Sequence, residues 1–278
     1  MTILTSIIVL GVIGLAAAAL LYLAATKFRV EEDPRIAEVE ELLPGANCGG
    51  CGLTGCHAFA MACCQATSLQ GLNCTGLDAE GMKRIASIVG LDAVAAQKRI
   101  AVIRCSASCE TRDPLNYYDG VRSCAIESAF YQGETDCIYG CLANGDCAAA
   151  CPFGAMTIKE GDALPTVDPD KCTGCGKCVE ACPRNLVELV PVEEGKPLVW
   201  VACANRDRGP VAMKECGVAC IGCTKCVKVC PSGAPSIASF LAHIDQDKCT
   251  GCGTCVEACP RHTIKTDIPL HRQTLRQA

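Results

Sequence analysis

The sequence predicts an α+β protein in which one N-terminal transmembrane helix precedes three small modules built around cysteine side chains. Three observations lead to this fold class. Residues 1–26 carry no charged side chain, 27 of the 278 residues are cysteines, and a cysteine pattern near residue 171 recurs near residue 248. A pattern that recurs at a fixed offset indicates a duplicated structural unit. We therefore predict four segments, which span residues 1–26, 27–100, 101–195 and 196–278.

The first segment, residues 1–26, is predicted to be the transmembrane helix. Residues 3–25 are apolar apart from Thr5, Ser6 and the glycines, which is long enough to cross a bilayer once. A cleaved signal peptide is the alternative, but it would carry basic residues ahead of its apolar part. Lys27 and Arg29 follow the span, so the positive-inside rule places the rest of the chain in the cytoplasm. We expect a single-pass protein of the cytoplasmic (inner) membrane.

The cysteine content indicates metal binding in a reducing compartment. An odd total argues against a closed disulfide framework, and a chain of this length does not need disulfides to form a core. Thiolates favour iron–sulfur clusters, zinc and cuprous copper over hard cations. The net charge of −5 makes a nucleic-acid partner unfavourable.

Residues 27–100 are predicted to form a small α-rich module with one metal site. Asp33 can cap a helix that runs to Leu43, Asp78 can cap a second, and residues 91–100 can form a third before a strand at residues 101–105. Glycines between the first cysteines allow the backbone to approach a bound cluster. Four cysteines with C-x2-C-x4-C-x17-C spacing make the site: Cys48, Cys51, Cys56 and Cys74. Cys63 and Cys64 are expected to be buried for packing.

Residues 101–195 are predicted to form a ferredoxin module of the bacterial type. Cys172, Cys175, Cys178 and Cys182 form a C-x2-C-x2-C-x3-C-P run, in which three thiolates hold one iron–sulfur cluster and the fourth reaches a neighbouring cluster. A partner group precedes it: Cys137, Cys141, Cys147 and Cys151. Structural zinc prefers separated C-x2-C pairs or mixed Cys and His ligands, and no histidine is interleaved here.

Residues 196–278 repeat this module after a strand predicted at residues 196–203. Residues 171–184 match residues 248–261 at every position except Lys177, which is replaced by Thr254. In the leading group, Asn144 of the first copy stands where the second has Cys223. The motif spacing favours Cys223 as a ligand, whereas correspondence with Cys137 favours Cys216 in its place.

The crossover rule predicts five [4Fe-4S] clusters. Besides Cys48, Cys51, Cys56 and Cys74, the predicted sets are Cys137, Cys141, Cys147 and Cys182; Cys172, Cys175, Cys178 and Cys151; Cys220, Cys223, Cys226 and Cys259; and Cys249, Cys252, Cys255 and Cys230. Of the other cysteines, Cys105, Cys109 and Cys124 lack cluster spacing; we favour packing roles for them, and the alternative is that they complete a further site. Cys203 and Cys216 are left without a predicted role, except that Cys216 is the alternative to Cys223.

The sequence contains no motif for substrate conversion. A G-x-G-x-x-G spacing occurs at Gly50, Gly52 and Gly55, but it falls inside the first cysteine loop and follows no predicted strand, so it is not a dinucleotide motif; the sequence also lacks a P-loop and an H-E-x-x-H metalloprotease motif. We predict no catalytic residue and no bound cofactor other than the clusters. Several clusters in one membrane-anchored chain indicate an electron-transfer protein.

The chain resembles the RnfB (or RsxB) family of ion-translocating oxidoreductase components, in an extended form with two ferredoxin modules. The resemblance rests on the uncharged N-terminal span, the Asp33-Pro34-Arg35 segment, the stretch at residues 41–52 and the ferredoxin repeats. It implies a translocase component that accepts electrons from soluble ferredoxin, in the Rnf complex, which couples ferredoxin:NAD+ electron transfer to Na+ or H+ movement. The implied partners are the membrane and the other Rnf proteins, RnfA, RnfC, RnfD, RnfE and RnfG, some of which would hold the NAD and flavin sites.

Basic residues near the cluster loops of the second ferredoxin module could meet an acidic ferredoxin. They are Lys225, Lys228, Lys248 and Arg261. One alternative reading is a ferredoxin-like component of another membrane redox complex, of the hydrogenase or formate-oxidising type. Another is a non-redox scaffold that binds zinc.

Overall fold

The computed structural model describes residues 2–27, 33–92, 97–108, 111, 114–159, 164–193 and 195–266. Its first element is helix α1 (Thr2–Lys27). The stretch Thr5–Ala24 is long and apolar enough to cross a membrane, and none of it is buried against the rest of the protein. It is the one helix of this kind within the described residues.

The N-terminal module consists of three helices, α2 (Pro34–Leu42), α3 (Cys56–Gln65) and α4 (Ala79–Val89). Both predicted caps form, since the Asp33 carboxylate accepts the Arg35 N–H at 3.0 Å and the Asp78 carboxylate accepts the Gly81 N–H at 2.7 Å. The helices bury a core between them, which includes Val39, Phe59, Cys63, Met82 and Ile85.

The helix predicted over residues 91–100 is wrong at its C-terminal end. Helix α4 ends at Gly90 in the left-handed conformation, and Arg99 and Ile100 already belong to strand β1 (Arg99–Ile103). Pairing across the sheet decides the conformation here, because Ile100 lies opposite Val190 in the ladder and is buried. Residues 93–96 lie outside the described part of the chain.

Module 1, predicted over residues 101–195, contains two short antiparallel sheets. Strand β1 pairs with β4 (Val187–Pro191), and β2 (Met156–Thr157) pairs with β3 (Thr166–Val167). Three short helices lie between the strands, α5 (Cys124–Phe130), α6 (Asp146–Ala149) and α7 (Lys177–Glu180). Because the first strand pairs with the last, the two cysteine groups that lie between these strands in the sequence belong to one folded unit.

Module 2, predicted over residues 196–278, repeats this plan. Strand β5 (Val199–Val201) pairs with β8 (Ile264–Thr266), and β6 (Pro235–Ala238) pairs with β7 (Leu241–Ile244). Its helices are α8 (Gly209–Glu215), α9 (Lys225–Val229) and α10 (Thr254–Ala258). The strand predicted over residues 196–203 corresponds to β5, which is shorter than predicted.

The two modules are joined by direct contacts. The indole N–H of Trp200 in module 2 donates to the Ile103 carbonyl of module 1 at 3.3 Å. Ala107, which follows β1 in the sequence, packs into the module 2 core with Val199, Val201 and Leu241. That core also contains buried cysteines, so much of its order depends on whatever those thiols bind.

Candidate metal centres

Site 1 consists of Cys48, Cys51, Cys56 and Cys74, and the structure brings these four thiols together. Burial raises the pKa of Cys74, and the nearby thiols of the other three raise it further. Gly49 and Gly52 adopt positive φ angles of 73° and 82°, which let the loop turn around the site. The Asn47 side chain accepts the N–H of Cys56 at 2.7 Å and so fixes the loop against the start of α3.

Cys63 packs behind site 1 and has no exposed surface. Burial raises its pKa to about 11, and the thiols of Cys64, Cys51 and Cys74 add to the effect. The structure therefore places Cys63 in the packing position predicted for it. Cys64 is partly buried on the same helix, near Asp33 and Arg35.

Site 3 consists of Cys151, Cys172, Cys175 and Cys178, the set predicted by the crossover rule. The four thiols line one cavity with an empty volume of 340 Å³. Burial raises the pKa of Cys178 to about 12, together with the thiols of the other three. The N–H of Ala101 in β1 donates to the Cys172 sulfur at 3.4 Å, so the first strand of module 1 supports this site.

Site 2 departs from the predicted set, because Cys124 occupies the place expected for Cys137. Cys124, Cys141, Cys147 and Cys182 line a cavity of 430 Å³, and Cys137 is not among its lining residues. Burial raises the pKa of Cys141 to about 12, and the thiols of Cys105, Cys124 and Cys147 raise it further. Cys124, for which packing was the favoured prediction, lines this cavity beside the other three thiols.

A side-chain substitution within the repeat explains this exchange. Asn144, which stands where module 2 has Cys223, donates from its amide to the buried carboxylate of Glu127 at 2.5 Å. Glu127 and Cys124 both lie on α5, so the helix that holds Asn144 also brings a thiol to the site. The sequence offset that relates Cys137 to Cys216 also relates Cys124 to Cys203, and this is the signal that could have identified Cys124.

Asp146 fixes the start of α5 beside site 2. Its carboxylate accepts the N–H groups of Cys124 and Ala125 and the hydroxyl of Ser123, each at 2.9 Å. Burial alone would raise the pKa of Asp146, but these donors hold it below its usual value. The carboxylate is therefore charged, and it holds Cys124 toward the site.

Site 4 consists of Cys220, Cys223, Cys226 and Cys259, which line a cavity of 360 Å³. Burial raises the pKa of Cys226, and the thiols of the other three raise it further. Of the two alternatives left by the sequence, the structure brings Cys223 to this site. Cys216 lies elsewhere, in a cavity with Cys137.

Site 5 consists of Cys230, Cys249, Cys252 and Cys255. Burial raises the pKa of Cys255 to about 11, together with the thiols of Cys249, Cys230 and Cys252. The N–H of Gly251 donates to the Cys249 sulfur at 3.4 Å. Cys252 and, at site 4, Cys223 are exposed, so both sites of module 2 reach the protein surface.

Each of these sites offers four thiols, the ligand set of a [4Fe-4S] cluster. Within the described ranges, no three His, Cys, Asp or Glu side chains form a group that could hold one metal ion. A tetrahedral zinc with Zn–S distances of about 2.3 Å would need its sulfurs within about 4 Å of one another. Backbone N–H groups point at several sulfurs, as from Ala143 to Cys141 at 3.4 Å and from Leu186 to Cys182 at 3.3 Å. Such donors are a known determinant of cluster potentials.

The basic residues predicted to meet a partner differ in their surroundings. Lys248 pairs with Asp245 at 2.9 Å, and Arg261 donates to the Cys216 carbonyl at 3.0 Å, so both are engaged within module 2. Lys225 and Lys228 are exposed on α9, and no carboxylate in the described part of the chain forms an ion pair with either. Cys109 lies outside the described residues.

Comparisons with known proteins relate the chain to iron–sulfur components of membrane complexes. A 4Fe-4S dicluster domain model matches residues 219–264, and a 4Fe-4S binding domain model matches residues 165–188. The chain is 44% identical over 246 residues to the B subunit of the Na(+)-translocating ferredoxin:NAD(+) oxidoreductase complex of Acetobacterium woodii, covering 86% of this chain and 71% of the relative.

Two further relatives agree. The B subunit of an ion-translocating oxidoreductase complex from Methanosarcina acetivorans is 38% identical, covering 87% of this chain and 90% of the relative. The B subunit of a proton-translocating ferredoxin:NAD(+) oxidoreductase complex from Clostridium ljungdahlii is 36% identical, covering 88% of this chain and 85% of the relative.

Proposed function

The chain belongs to the RnfB family of ion-translocating oxidoreductase complexes, as its sequence predicted, and from this premise we propose that it relays electrons from ferredoxin toward NAD+ within such a complex. It is an iron–sulfur electron-transfer subunit and carries [4Fe-4S] ferredoxin domains. Its relatives differ in the ion named, one Na+ and one H+. The ion is therefore left open for this chain.

The observation that supports the relay is the succession of four-thiol sites along the protein. Site 1 lies against site 3, since a Cβ added to Gly50 would come within 2.8 Å of the Cys175 Cα atom. Sites 3 and 2 share module 1, and each takes cysteines from both of its cysteine groups. Sites 4 and 5 share module 2 in the same way.

We assign the five clusters to sites 1 to 5, with Cys124 in place of Cys137 at site 2. A [4Fe-4S] cluster bound at such a site gains and loses electrons at a potential that its surroundings set. The chain contributes by burying most of the ligand sulfurs and by directing backbone N–H groups at them. Donors to a sulfur stabilise negative charge, so they raise the potential of the site they surround.

Soluble ferredoxin is proposed to dock at site 4 in module 2. Cys223 is exposed there, and Lys225 and Lys228 follow it on α9. Phe240, about half exposed at 48%, sits at the tip of the β6–β7 turn with its carbonyl packed against Gly222. An exposed aromatic residue against the loop that carries Cys223, with two exposed cations following that loop, suits an acidic partner, because opposite charge steers encounter and apolar area retains it.

Helix α1 is proposed to anchor the protein next to the ion-translocating components, with its modules on the cytoplasmic side. The stretch Thr5–Ala24 contains no ionisable side chain other than Tyr22, so this helix offers no carboxylate or basic group for ion transport. Coupling to ion movement would therefore lie in partner proteins.

Metal and sulfide analysis of the anaerobically purified full-length chain tests the proposal. Sites 1 to 5 together should contribute about 20 irons per chain, with matching acid-labile sulfide and bleaching by reduced ferredoxin. Iron-free protein that contains zinc instead would support the scaffold reading and overturn the relay.

The docking surface gives the first mutational prediction. Changing Lys225 and Lys228 together to glutamate should slow reduction by ferredoxin about tenfold or more at low salt and flatten its salt dependence, because charge steering is lost. Stopped-flow absorbance measures the rate. The matched control is Lys171→Glu, which alters an exposed lysine already paired with Asp168 in module 1. Equal rates for the double variant and the unaltered protein would remove the docking proposal.

A further inference from the structure

Four cysteines outside sites 1 to 5 converge where module 1 meets module 2. Cys105, Cys137, Cys203 and Cys216 line a single cavity of 300 Å³. All but Cys105 are buried, with at most 8% of their surface exposed. They come from four separate stretches of the chain, so their convergence is a product of the tertiary fold and not of a local motif.

Cys137 is the centre of this group. Its pKa is raised by burial, and the nearby thiols of Cys105 and Cys216 raise it further. Burial raises the pKa of Cys203 to about 12, and Cys220 and Cys137 are its thiol neighbours. Each of the other three cysteines is thus close to Cys137.

Hydrogen-bond donors surround these sulfurs as they do at the five sites. The Cys203 sulfur accepts N–H groups from Asn205 and Cys220, both at 3.4 Å. The Asn205 side-chain amide, itself buried, lies 3.6 Å from the Cys137 sulfur. A donor two residues after the cysteine is also found at Cys141 and Cys249. Thiols that serve only apolar packing have no need of such donors.

Hydrogen bonds from both modules hold the loops around this cavity in place. The N–H of Gly217 donates to the Thr111 carbonyl at 2.6 Å, which ties the stretch after Cys105 to the residue after Cys216. Arg261 donates to the Cys216 carbonyl, and Arg184, at the corresponding position of the repeat, donates to the Gly140 carbonyl at 2.6 Å. The loops that carry Cys137 and Cys216 are therefore held in place.

We propose that Cys105, Cys137, Cys203 and Cys216, here called the junction site, bind a sixth [4Fe-4S] cluster. The inference rests on the proposed relay and completes it. Cys105 is a neighbour of Cys141 at site 2, while Cys203 accepts the N–H of Cys220 at site 4. The junction site thus fills the interval between the modules, and the order becomes site 1, site 3, site 2, junction site, site 4, site 5.

The test compares iron content in the full-length, anaerobically purified protein. We expect about 24 irons per chain, a loss of about four in Cys137→Ala and in Cys216→Ala, and no loss in Cys63→Ala, a buried cysteine outside every proposed site. Full iron content in either junction variant would overturn the inference. Cys203→Ala tests the ligand set in the same way.

A second measurement needs no substitution and so does not depend on whether the variants fold. Native mass spectrometry of the unaltered chain should count six clusters, and alkylation under anaerobic, non-denaturing conditions should leave Cys105, Cys137, Cys203 and Cys216 unmodified. A count of five clusters would overturn the sixth site while leaving the relay intact, whatever the alkylation result, because burial alone also protects Cys137, Cys203 and Cys216. Absence of all clusters would instead overturn the proposed function.

Discussion

At the scale of single residues, the informative feature is the exchange of roles between Cys124 and Asn144. In module 2 the C-x2-C-x2-C run is complete, and Cys203 is free to face the junction cavity. In module 1 the middle cysteine is replaced by Asn144, and Cys124, at the repeat position of Cys203, lines site 2 instead. The two copies of the repeat therefore place equivalent cysteines at different cavities.

This exchange can be reversed by substitution. Cys124→Ala should remove about four irons, because site 2 loses one of its four thiols. Adding Asn144→Cys in the same chain gives module 1 the motif spacing of module 2 and should recover most of that iron. Recovery should be incomplete, because the buried Glu127 carboxylate loses its amide donor. Iron and sulfide analysis provides the readout, with Cys64→Ala as the control. Full iron content in Cys124→Ala would contradict the assignment.

At the scale of secondary-structure elements, local patterns predicted what is local. The helices after Asp33 and Asp78 form with the expected caps because the cap and its N–H partner are two or three residues apart. The cysteine runs formed compact loops for the same reason. The helix expected over residues 91–100 failed where strand β1 pairs with β4, a partner about ninety residues away in the chain.

Non-local contacts also explain why cysteine spacing did not predict the positions of Cys124 and Cys105. Cys124 and Cys105 lie far from any motif, and only the folding of α5 and of the stretch after β1 brings them to a cavity. Spacing rules carry no information about such approaches. The internal repeat does carry some, since residues at equivalent positions recur at the edges of equivalent sites.

Helix α5 should depend on Asp146. Replacing Asp146 with alanine removes three acceptor contacts at the start of a seven-residue helix, which should destabilise module 1 by about 2 kcal/mol. Site 2 should then lose its cluster at a lower temperature, which absorbance on warming records. Glu180→Ala is the control, since its ion pair with Lys177 is exposed and contributes little. Identical melting of both variants would contradict this role.

At the scale of the whole molecule, the modules have little apolar core and contact one another beside their cysteine sites. Buried cysteines form a large part of the module 2 core and line the cavities of module 1. Cluster binding is therefore coupled to folding, and removal of iron should loosen the modules together with the contacts between them. The same contacts bring residues of successive sites next to one another.

Gly50 permits a close backbone contact between the N-terminal module and module 1. A Cβ at Gly50 would lie 2.8 Å from the Cys175 Cα atom and 2.7 Å from the Thr75 hydroxyl, so the two backbones cannot keep this approach if a side chain is present. Gly50→Val should therefore separate site 1 from site 3. Because electron transfer weakens steeply with distance, reduction of one cluster should become slow while total iron is unchanged.

Stopped-flow absorbance after mixing with reduced ferredoxin should show this effect as a slow phase, whose amplitude equals the absorbance change of one cluster. Gly71→Val is a demanding control, because Gly71 has a φ of 86° with open space around it and so reports backbone strain without a clash. If Gly50→Val is reduced in the same phases as the unaltered protein, electrons do not pass between sites 1 and 3 at this contact. Loss of the slow phase's cluster from the iron count would instead show that the substitution disrupts site 1 itself.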